Sequence, residues 1–157
     1  MMLVKHGTES QIKEIYDTFR LYKDIFPHLR FDYLTRKVKS DRCIYEDDVA
    51  ITYTIYQRKN KVGTSYENLE LKASKGDVMI HQLANANPSN GKSKEIVQRF
   101  LEENCHGKRV WLTVRQNNDR AVRFYEKMNF KNVGTVHWMK GKLPGYVFCY
   151  VTNKTIL

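Results

Sequence analysis

The sequence lacks any apolar run that approaches the roughly 20 residues needed by a membrane-spanning helix. The apolar part of its first residues, Met1–Gly7, is too short for the hydrophobic region of a secretory signal peptide. Because we find neither kind of segment, we expect a cytoplasmic protein that does not insert into a membrane.

Cysteine is also scarce. The three cysteines, Cys43, Cys105 and Cys149, lie far apart and form no CxxC pair, which argues against a zinc knuckle and a disulfide framework. We expect reduced thiols with a structural role and no bound metal. A chain of 157 residues can bury roughly 68–70 % of its surface without such cross-links. Since no linker or internal repeat divides the chain, we expect a single domain over residues 1–157.

Acidic residues are outnumbered by basic ones. The chain has 17 Asp and Glu against 27 Lys and Arg, which gives a formal net charge of +10. Such a charge favours polyanionic partners, either nucleic acid or a phosphate-rich cofactor. The basic residues are dispersed rather than clustered, so a solvated surface without such a partner is an equally good interpretation.

Apolar residues that recur at helical or alternating spacing predict the secondary structure. In chain order, the predicted elements are a strand at Leu3–Lys5, a helix after Thr8, a helix over Leu29–Val38, paired strands at Cys43–Tyr45 and Val49–Tyr56, a strand at Val78–Leu83, a helix through Ile96–Leu101, a strand at Val110–Val114, a helix after Asn118, and a hairpin of Thr135–Met139 with Tyr146–Val151. Thr8 with Gln11 is a capping-box pattern. The lysine-rich segment 57–76 is either a surface excursion or holds a short strand around Leu69 and Leu71.

The order of these elements predicts the fold class. A strand, a helix and a strand in the middle of the chain imply a parallel crossover, whereas the flanking strands imply antiparallel pairs. The sequence therefore predicts an α/β fold with a mixed, mostly antiparallel central sheet, a parallel crossover in its middle and about four flanking helices.

The most specific pattern lies between Val110 and Phe130. Six residues follow the spacing V-x3-N-x2-A-x3-Y-x3-G-F, with asparagine in place of glycine: Val114, Asn118, Ala121, Tyr125, Asn129 and Phe130. This pattern resembles the strand-to-helix signature of the GCN5-related N-acetyltransferase (GNAT) superfamily. Asn129 keeps the backbone requirement of the glycine, because asparagine tolerates the left-handed conformation that ends a helix.

The resemblance implies a GNAT-like fold over nearly the whole chain and acetyl-coenzyme A as the acyl donor. It implies that Tyr125 protonates the coenzyme A thiolate and that Asn118 hydrogen-bonds the pantetheine arm of the cofactor. The expected reaction is direct attack by a primary amine of a small molecule or peptide in a ternary complex, without metal. Taken alone, the same two residues would fit a helix cap and a core aromatic.

A polar loop joins the strand at Val78–Leu83 to the next helix. Backbone N–H groups at a helix N-terminus bind anions, and the resemblance implies that this loop holds the cofactor pyrophosphate through a Q/R-x-x-G-x-G/A motif. The motif can be aligned with the loop in two registers. The positions of the apolar residues in the following helix favour Pro88-x-x-Gly91-x-Ser93, and the alternative is Asn90-x-x-Ser93-x-Glu95. Lys92 and Lys94 could supply charge that the missing glycines do not. The expected cofactor-binding residues are Leu83, Ala84, Asn85, Asn90, Gly91, Lys92, Ser93, Asn118 and Tyr125.

The same loop also satisfies a loose phosphate-loop pattern, Ala86-x4-Gly91-Lys92-Ser93. In a nucleotide hydrolase, Lys92 would bind the β- and γ-phosphates and Ser93 would bind magnesium. The first glycine of that pattern is missing, and the strand Val110–Val114 ends in no aspartate for the metal. This interpretation is therefore the minor one.

Acetyl transfer to an amine needs a base and a donor that polarises the thioester carbonyl. A backbone N–H group near Leu83–Asn85 could be the donor. His81, on the strand before the loop, is the candidate base because its ordinary pKa is about 6.5; a histidine packed beside the sheet is an equally open interpretation. A second hypothesis from another class is a protein on the same scaffold that binds nucleic acid or modifies a base.

Overall fold

A computed structural model describes Val4, residues 7–62 and residues 71–151. The helices within these residues are α1 (Glu9–Arg20), α2 (Phe31–Lys39), α3 (Lys92–Asn104) and α4 (Asp119–Lys127), with a 3₁₀ turn at Pro88–Asn90. The strands are β1 (Cys43–Glu46), β2 (Val49–Ile55), β3 (Asn60–Lys61), β4 (Lys72–Ala73), β5 (Val78–Asn85), β6 (Arg109–Arg115), β7 (Lys131–Trp138) and β8 (Leu143–Val151). Leu3 and Lys5 of the predicted first strand, and Leu69, lie outside the described residues.

The main sheet has six strands in the order β1-β2-β5-β6-β8-β7, and β3 pairs with β4 in a separate sheet. β5 and β6 are parallel, with Val78 opposite Val110 and Met79 opposite Trp111. β1 pairs with β2, β6 with β8, and β7 with β8 in antiparallel ladders. The predicted mixed, mostly antiparallel sheet with a parallel crossover and four helices is confirmed.

The chain divides into two compact units, of which the first comprises Met1–Thr54 and Ile80–Asn104. Its helices α1 and α2 pack on the sheet through a cluster of apolar side chains that includes Ile12, Ile15, Phe19, Leu34, Val38, Cys43, Ala50 and Ala84. α1 begins where predicted, since the Thr8 side chain accepts a hydrogen bond from Gln11 N at 3.2 Å. Such a cap is worth about 1 kcal/mol of helix stability.

The second unit comprises Ile55–Met79 and Cys105–Leu157. Its apolar cluster includes Val62, Ala73, Met79, Trp111, Val136, Val147 and Cys149. The buried carboxylate of Asp77 accepts hydrogen bonds from Trp111 Nε1 at 3.0 Å, Arg109 Nε at 3.1 Å and Ser74 N at 2.8 Å. These three donors tie the start of β5 to β6 and to the residues after β4, so Asp77 has a structural role.

The cysteines are free and buried, as predicted. Burial raises the pKa of the Cys43 and Cys105 thiols to about 12, and that of Cys149 to about 11. They therefore stay protonated at neutral pH. Within the described ranges, no helix has the length and apolar content needed to cross a bilayer.

Several boundaries differ from the sequence prediction. β8 begins at Leu143 instead of Tyr146, and β5 ends at Asn85 instead of Leu83. β7 begins at Lys131 instead of Thr135, because it is an edge strand whose first three residues are exposed and include one apolar side chain, that of Val133, and so give no alternating apolar signal. α2 begins at Phe31, two residues later than predicted, after an extended Arg30.

Candidate active site

β5 lies in the interior of the sheet but is open to solvent in its middle. Val78, Met79 and Ile80 are buried, as are Ala84 and Asn85, whereas His81 is exposed and Gln82 and Leu83 are half-buried. Both faces of an interior strand are normally covered, so an opening of this kind marks a place where a ligand can reach the sheet.

The hydrogen bonds of this segment break the usual alternation of a strand. Thr52 and Thr54 are two residues apart on β2 and so lie on one face. Thr52 Oγ1 donates to Gln82 Oε1, and Thr54 Oγ1 lies 3.0 Å from His81 Nε2. Two consecutive residues of β5 are therefore bonded to side chains on one face of β2, which departs from the strict alternation of a strand.

Helix α2 adds two side chains to this face. Tyr33 Oη donates to Gln82 Oε1 at 3.2 Å. Lys37 Nζ donates to the backbone oxygen of Tyr53 at 2.8 Å and lies 5.7 Å from the centre of the Tyr33 ring. We call the group formed by Tyr33, Lys37, Thr52, Thr54, His81 and Gln82 the α2–β5 polar cluster. Its members come from three elements of the first unit.

His81, the candidate base, is a weaker base than an ordinary histidine. Desolvation of the ring and, to a lesser degree, the nearby charge of Lys37 lower its pKa to about 4, although part of the side chain is exposed. At neutral pH the ring is uncharged, and its nitrogens can exchange hydrogen bonds with Thr54 or a ligand. It can orient an amine better than it can hold an amine proton.

An NMR titration of the His81 ring is expected to give a midpoint at about pH 4, and Lys37→Gln is expected to raise this midpoint. The unfolded chain binds this proton at about 6.5, so the neutral ring contributes stability that is complete above pH 6.5 and is lost as the pH falls through the folded value. The fall in unfolding free energy between pH 7 and pH 5 is therefore expected to be smaller in His81→Gln than in wild type. A midpoint at or above 6.5 would contradict this assignment.

The loop after β5 is held by a network of asparagine side chains. Asn85 is buried; its Nδ2 donates to Asn90 Oδ1 at 3.1 Å and to Ser93 Oγ at 2.9 Å, and its Oδ1 accepts from Asn87 N at 2.8 Å. Asn90 Oδ1 also accepts from Lys92 N at 2.8 Å. The Asn85 side chain is thus occupied within the loop and acts by positioning it.

The turn between β1 and β2 supports the same loop. Asn90 Nδ2 donates to the backbone oxygen of Asp47 at 3.1 Å, and Ala86 N donates to that of Asp48 at 2.8 Å. The hydroxyl of Tyr22, just after α1, donates to the backbone oxygen of Asn85 at 2.6 Å. The loop is therefore fastened to two neighbouring segments of the first unit.

Gly91 is left-handed, with φ 70°, directly before α3 begins at Lys92. A Cβ atom added at Gly91 would meet no atom within 4 Å, so the loop is open on that side. In the register Pro88-x-x-Gly91-x-Ser93, the central glycine of the motif is this left-handed residue, whereas the alternative register would place Ser93, in the first turn of α3, at that position. Lys92 Nζ pairs with Glu95 at 3.1 Å, so its charge is already partly compensated.

The matched motif lies in the second unit. Asn118 is the N-cap of α4, since its Oδ1 accepts a hydrogen bond from Ala121 N at 3.3 Å. This leaves the Nδ2 group of Asn118 as the part that can donate to a ligand. Asn129 has φ 70° after the helix, as predicted. Ala121 beside the cap is half-buried.

Tyr125 points into an aromatic group. Its ring centre lies 5.4 Å from those of Phe124 and Phe130 and 6.3 Å from that of Phe148. Only 8 % of the residue is exposed, and burial raises the pKa of its phenol above the ordinary value. The hydroxyl is therefore protonated throughout the neutral range and can act as a proton donor but not as a base.

A family model described as acetyltransferase (GNAT) family matches residues 93–130. This segment includes nearly all of α3, all of β6 and α4, and Phe130 at the end of the motif. The resemblance to the GNAT superfamily is confirmed.

Solved structures with the GNAT fold are similar to almost the whole chain. A GNAT-family acetyltransferase of Streptococcus agalactiae 2603 has a TM-score of 0.65 at 12 % identity, covering 97 % of this chain and 94 % of that chain. Arabidopsis thaliana NAA60 in complex with a bisubstrate analogue has a TM-score of 0.62 at 14 % identity, covering 98 % and 97 %. The same protein in complex with acetyl-CoA has a TM-score of 0.59 at 15 % identity, covering 88 % and 93 %. No curated protein matches the sequence.

The GNAT-like fold argues against the nucleotide-hydrolase interpretation of the loop. Ser93, the magnesium ligand of that interpretation, accepts a hydrogen bond from Asn85 Nδ2, and the sheet is mostly antiparallel. Among the described residues, no group of three or more His, Cys, Asp or Glu side chains is placed to hold a metal ion.

The structure brings the predicted residues together in two groups. His81, Leu83–Asn85 and Asn90–Ser93 lie in the first unit, and Asn118 and Tyr125 lie in the second. Sequence reasoning missed Gln82, Thr52 and Lys37. Their only signal was that Gln82 and Thr52 are polar residues inside otherwise apolar strands.

Proposed function

We propose that this chain transfers an acetyl group from acetyl-coenzyme A to a primary amine by direct attack in a ternary complex. The observation that carries the proposal is the matched segment 93–130, which holds Asn118 and Tyr125 at the family's spacing. The GNAT-like fold and the complexes of NAA60 with acetyl-CoA and with a bisubstrate analogue support it.

The residues of the loop fit the phosphates of the cofactor. The first-turn N–H groups of a helix have no partner within the helix. At the start of α3 they follow a left-handed Gly91 whose side is open, and among the described residues only that of Lys92 is bonded to the loop, through Asn90 Oδ1. Asn85 and Asn90 fix the loop, in which Ser93 stands at the second glycine or alanine position of the motif. In the second unit, Asn118 Nδ2 would donate to an amide oxygen of the pantetheine arm, and the half-buried Ala121 leaves room for it.

When bound, the cofactor supplies an acetyl group activated as a thioester. A backbone N–H group at Leu83–Asn85 polarises the carbonyl, and the neutral His81 ring accepts a hydrogen bond from the attacking amine. The amine nitrogen forms the amide bond to the carbonyl carbon, the carbon–sulfur bond breaks, and the amine proton passes to water. Tyr125 gives its proton to the departing thiolate and regains one from solvent.

The test is an acetylation screen read by mass spectrometry. The protein and acetyl-CoA are incubated with polyamines, aminoglycosides, peptides with free N-termini, and nucleic acids. At least one amine class is expected to gain a single acetyl group while free coenzyme A accumulates in equal amount, with heat-denatured protein as the control. If no class is acetylated and release of coenzyme A does not exceed the control, the proposed function is wrong. Acetylation of nucleic acid alone would favour the base-modifying alternative.

A further inference from the structure

The segment from α2 to the start of β1 is strongly basic. Counted from the N-cap residue of α2, it carries five cations, Arg30, Arg36, Lys37, Lys39 and Arg42, against two carboxylates, Asp32 and Asp41. One of these carboxylates is already engaged, because Asp32 lies 3.3 Å from Arg30 Nε and 3.7 Å from Arg36. The carboxylates of this segment therefore do not balance its positive charge.

Lys37 is the cation built into that cluster. Its side chain is half-buried, and its Nζ is fixed by the 2.8 Å hydrogen bond to the backbone oxygen of Tyr53. The acceptor is a neutral carbonyl, so the charge of Lys37 is not cancelled by this bond. Tyr53 is followed directly by Thr54, which contacts His81. A fixed positive charge therefore stands beside the candidate base.

This arrangement disfavours some amines and favours others. A second ammonium group near the reacting amine, as in a polyamine, an aminoglycoside or a lysine-rich peptide, would be repelled by Lys37. A carboxylate near the reacting amine would be attracted. His81 is also too weak a base to deprotonate a lysine amine of pKa about 10.4, whereas a peptide α-amine, of pKa about 7.7–8.0, is partly neutral already at physiological pH.

We propose that the acceptor is the α-amine of a peptide whose next residues carry carboxylates, and that Lys37 selects it. This inference rests on the proposed acetyl transfer. The positive charge of Lys37 contributes twice, since it attracts the carboxylates and, by repelling an ammonium group, keeps the reacting amine in its neutral, nucleophilic form.

The experiment compares peptides of equal length that begin Ser-Glu-Glu, Ser-Gln-Gln or Ser-Lys-Lys. For the wild-type protein, kcat/KM is expected to fall in that order, by about fivefold at each step. An N-blocked peptide with one free lysine side chain is expected to react more slowly than any of the three. Polyamines, aminoglycosides and nucleic acids serve as competing acceptor classes.

The variants separate selection from structure. Lys37→Gln is expected to bring the ratio of kcat/KM for the Ser-Glu-Glu peptide to that for the Ser-Lys-Lys peptide close to one, and Lys37→Glu is expected to reverse the preference. Lys39 is an exposed lysine on the same helix, and Lys39→Gln is expected to leave the ratio unchanged. A merely structural role of Lys37 would lower kcat/KM for all peptides by the same factor. An unchanged preference in Lys37→Gln, or a faster reaction with any basic or nucleic-acid acceptor, would overturn this inference while acetyl transfer stood. Absence of transfer to every acceptor would overturn the proposed function itself.

Discussion

Tyr125→Phe is expected to lower kcat about 10²- to 10⁴-fold, the usual contribution of a positioned proton donor, while the dissociation constant of acetyl-CoA stays near that of wild type. The substitution removes only the hydroxyl, and a phenylalanine ring keeps the packing against Phe124, Phe130 and Phe148. Burial raises the pKa of Tyr125, so the wild-type hydroxyl is protonated at neutral pH and available to a thiolate. Steady-state kinetics and calorimetry measure the two quantities.

Tyr146→Phe is the matched control, because Tyr146 is a half-buried tyrosine on β8 in the same unit. It is expected to leave kcat close to that of wild type, because no step of the proposed reaction uses the Tyr146 hydroxyl. An unchanged kcat in Tyr125→Phe would show that this hydroxyl is not the acid. An equal loss in both variants would show that the effect is not specific to Tyr125.

Asn90→Ala is expected to raise KM for acetyl-CoA about tenfold, which corresponds to about 1.4 kcal/mol. It removes the hydrogen bonds of the Asn90 side chain to Asn85, Lys92 N and the Asp47 oxygen, and so loosens the loop at the start of α3. KM for S-acetyl-pantetheine is expected to stay unchanged, because that donor lacks the pyrophosphate. The comparison of the two donors is the measurement.

Ser89→Ala is the control on the same 3₁₀ turn, because Ser89 is exposed and its hydroxyl bonds only to Asn87 Oδ1 at 2.8 Å among the described residues. Both KM values are expected to be unaffected. If Asn90→Ala changes KM for both donors by the same factor, the loop does not bind the cofactor phosphates. If it changes neither, the asparagine network is not needed to position the loop.

The elements that the sequence predicts well are those whose signals are local. Thr8 and Asn118 are helix caps, and Asn129 is left-handed, because capping and helix termination depend on a few neighbouring residues. The spacing that joins Asn118 to Tyr125 is also local, since both lie within the first two turns of one helix. The resemblance to the family could therefore be recognised from the short segment Val110–Phe130, and the fold class from the order of the elements along the chain.

The details of the candidate site depend on contacts between distant segments. The pairing of Thr52 with Gln82 and of Thr54 with His81 cannot be read from a period-2 pattern, because that pattern places the consecutive residues His81 and Gln82 on opposite faces. The lowered pKa of His81 depends on desolvation of its ring in the folded chain and on Lys37, which is 44 residues earlier in the sequence. The asparagine network around Asn85 is not part of the family motif, so no motif indicates it.

A calorimetric titration of the protein with acetyl-CoA examines whether the chain binds the proposed acyl donor. We predict saturable binding to one site per chain, weakened by Asn90→Ala and preserved in Tyr125→Phe. A titration in which no binding is detected up to millimolar acetyl-CoA would contradict it.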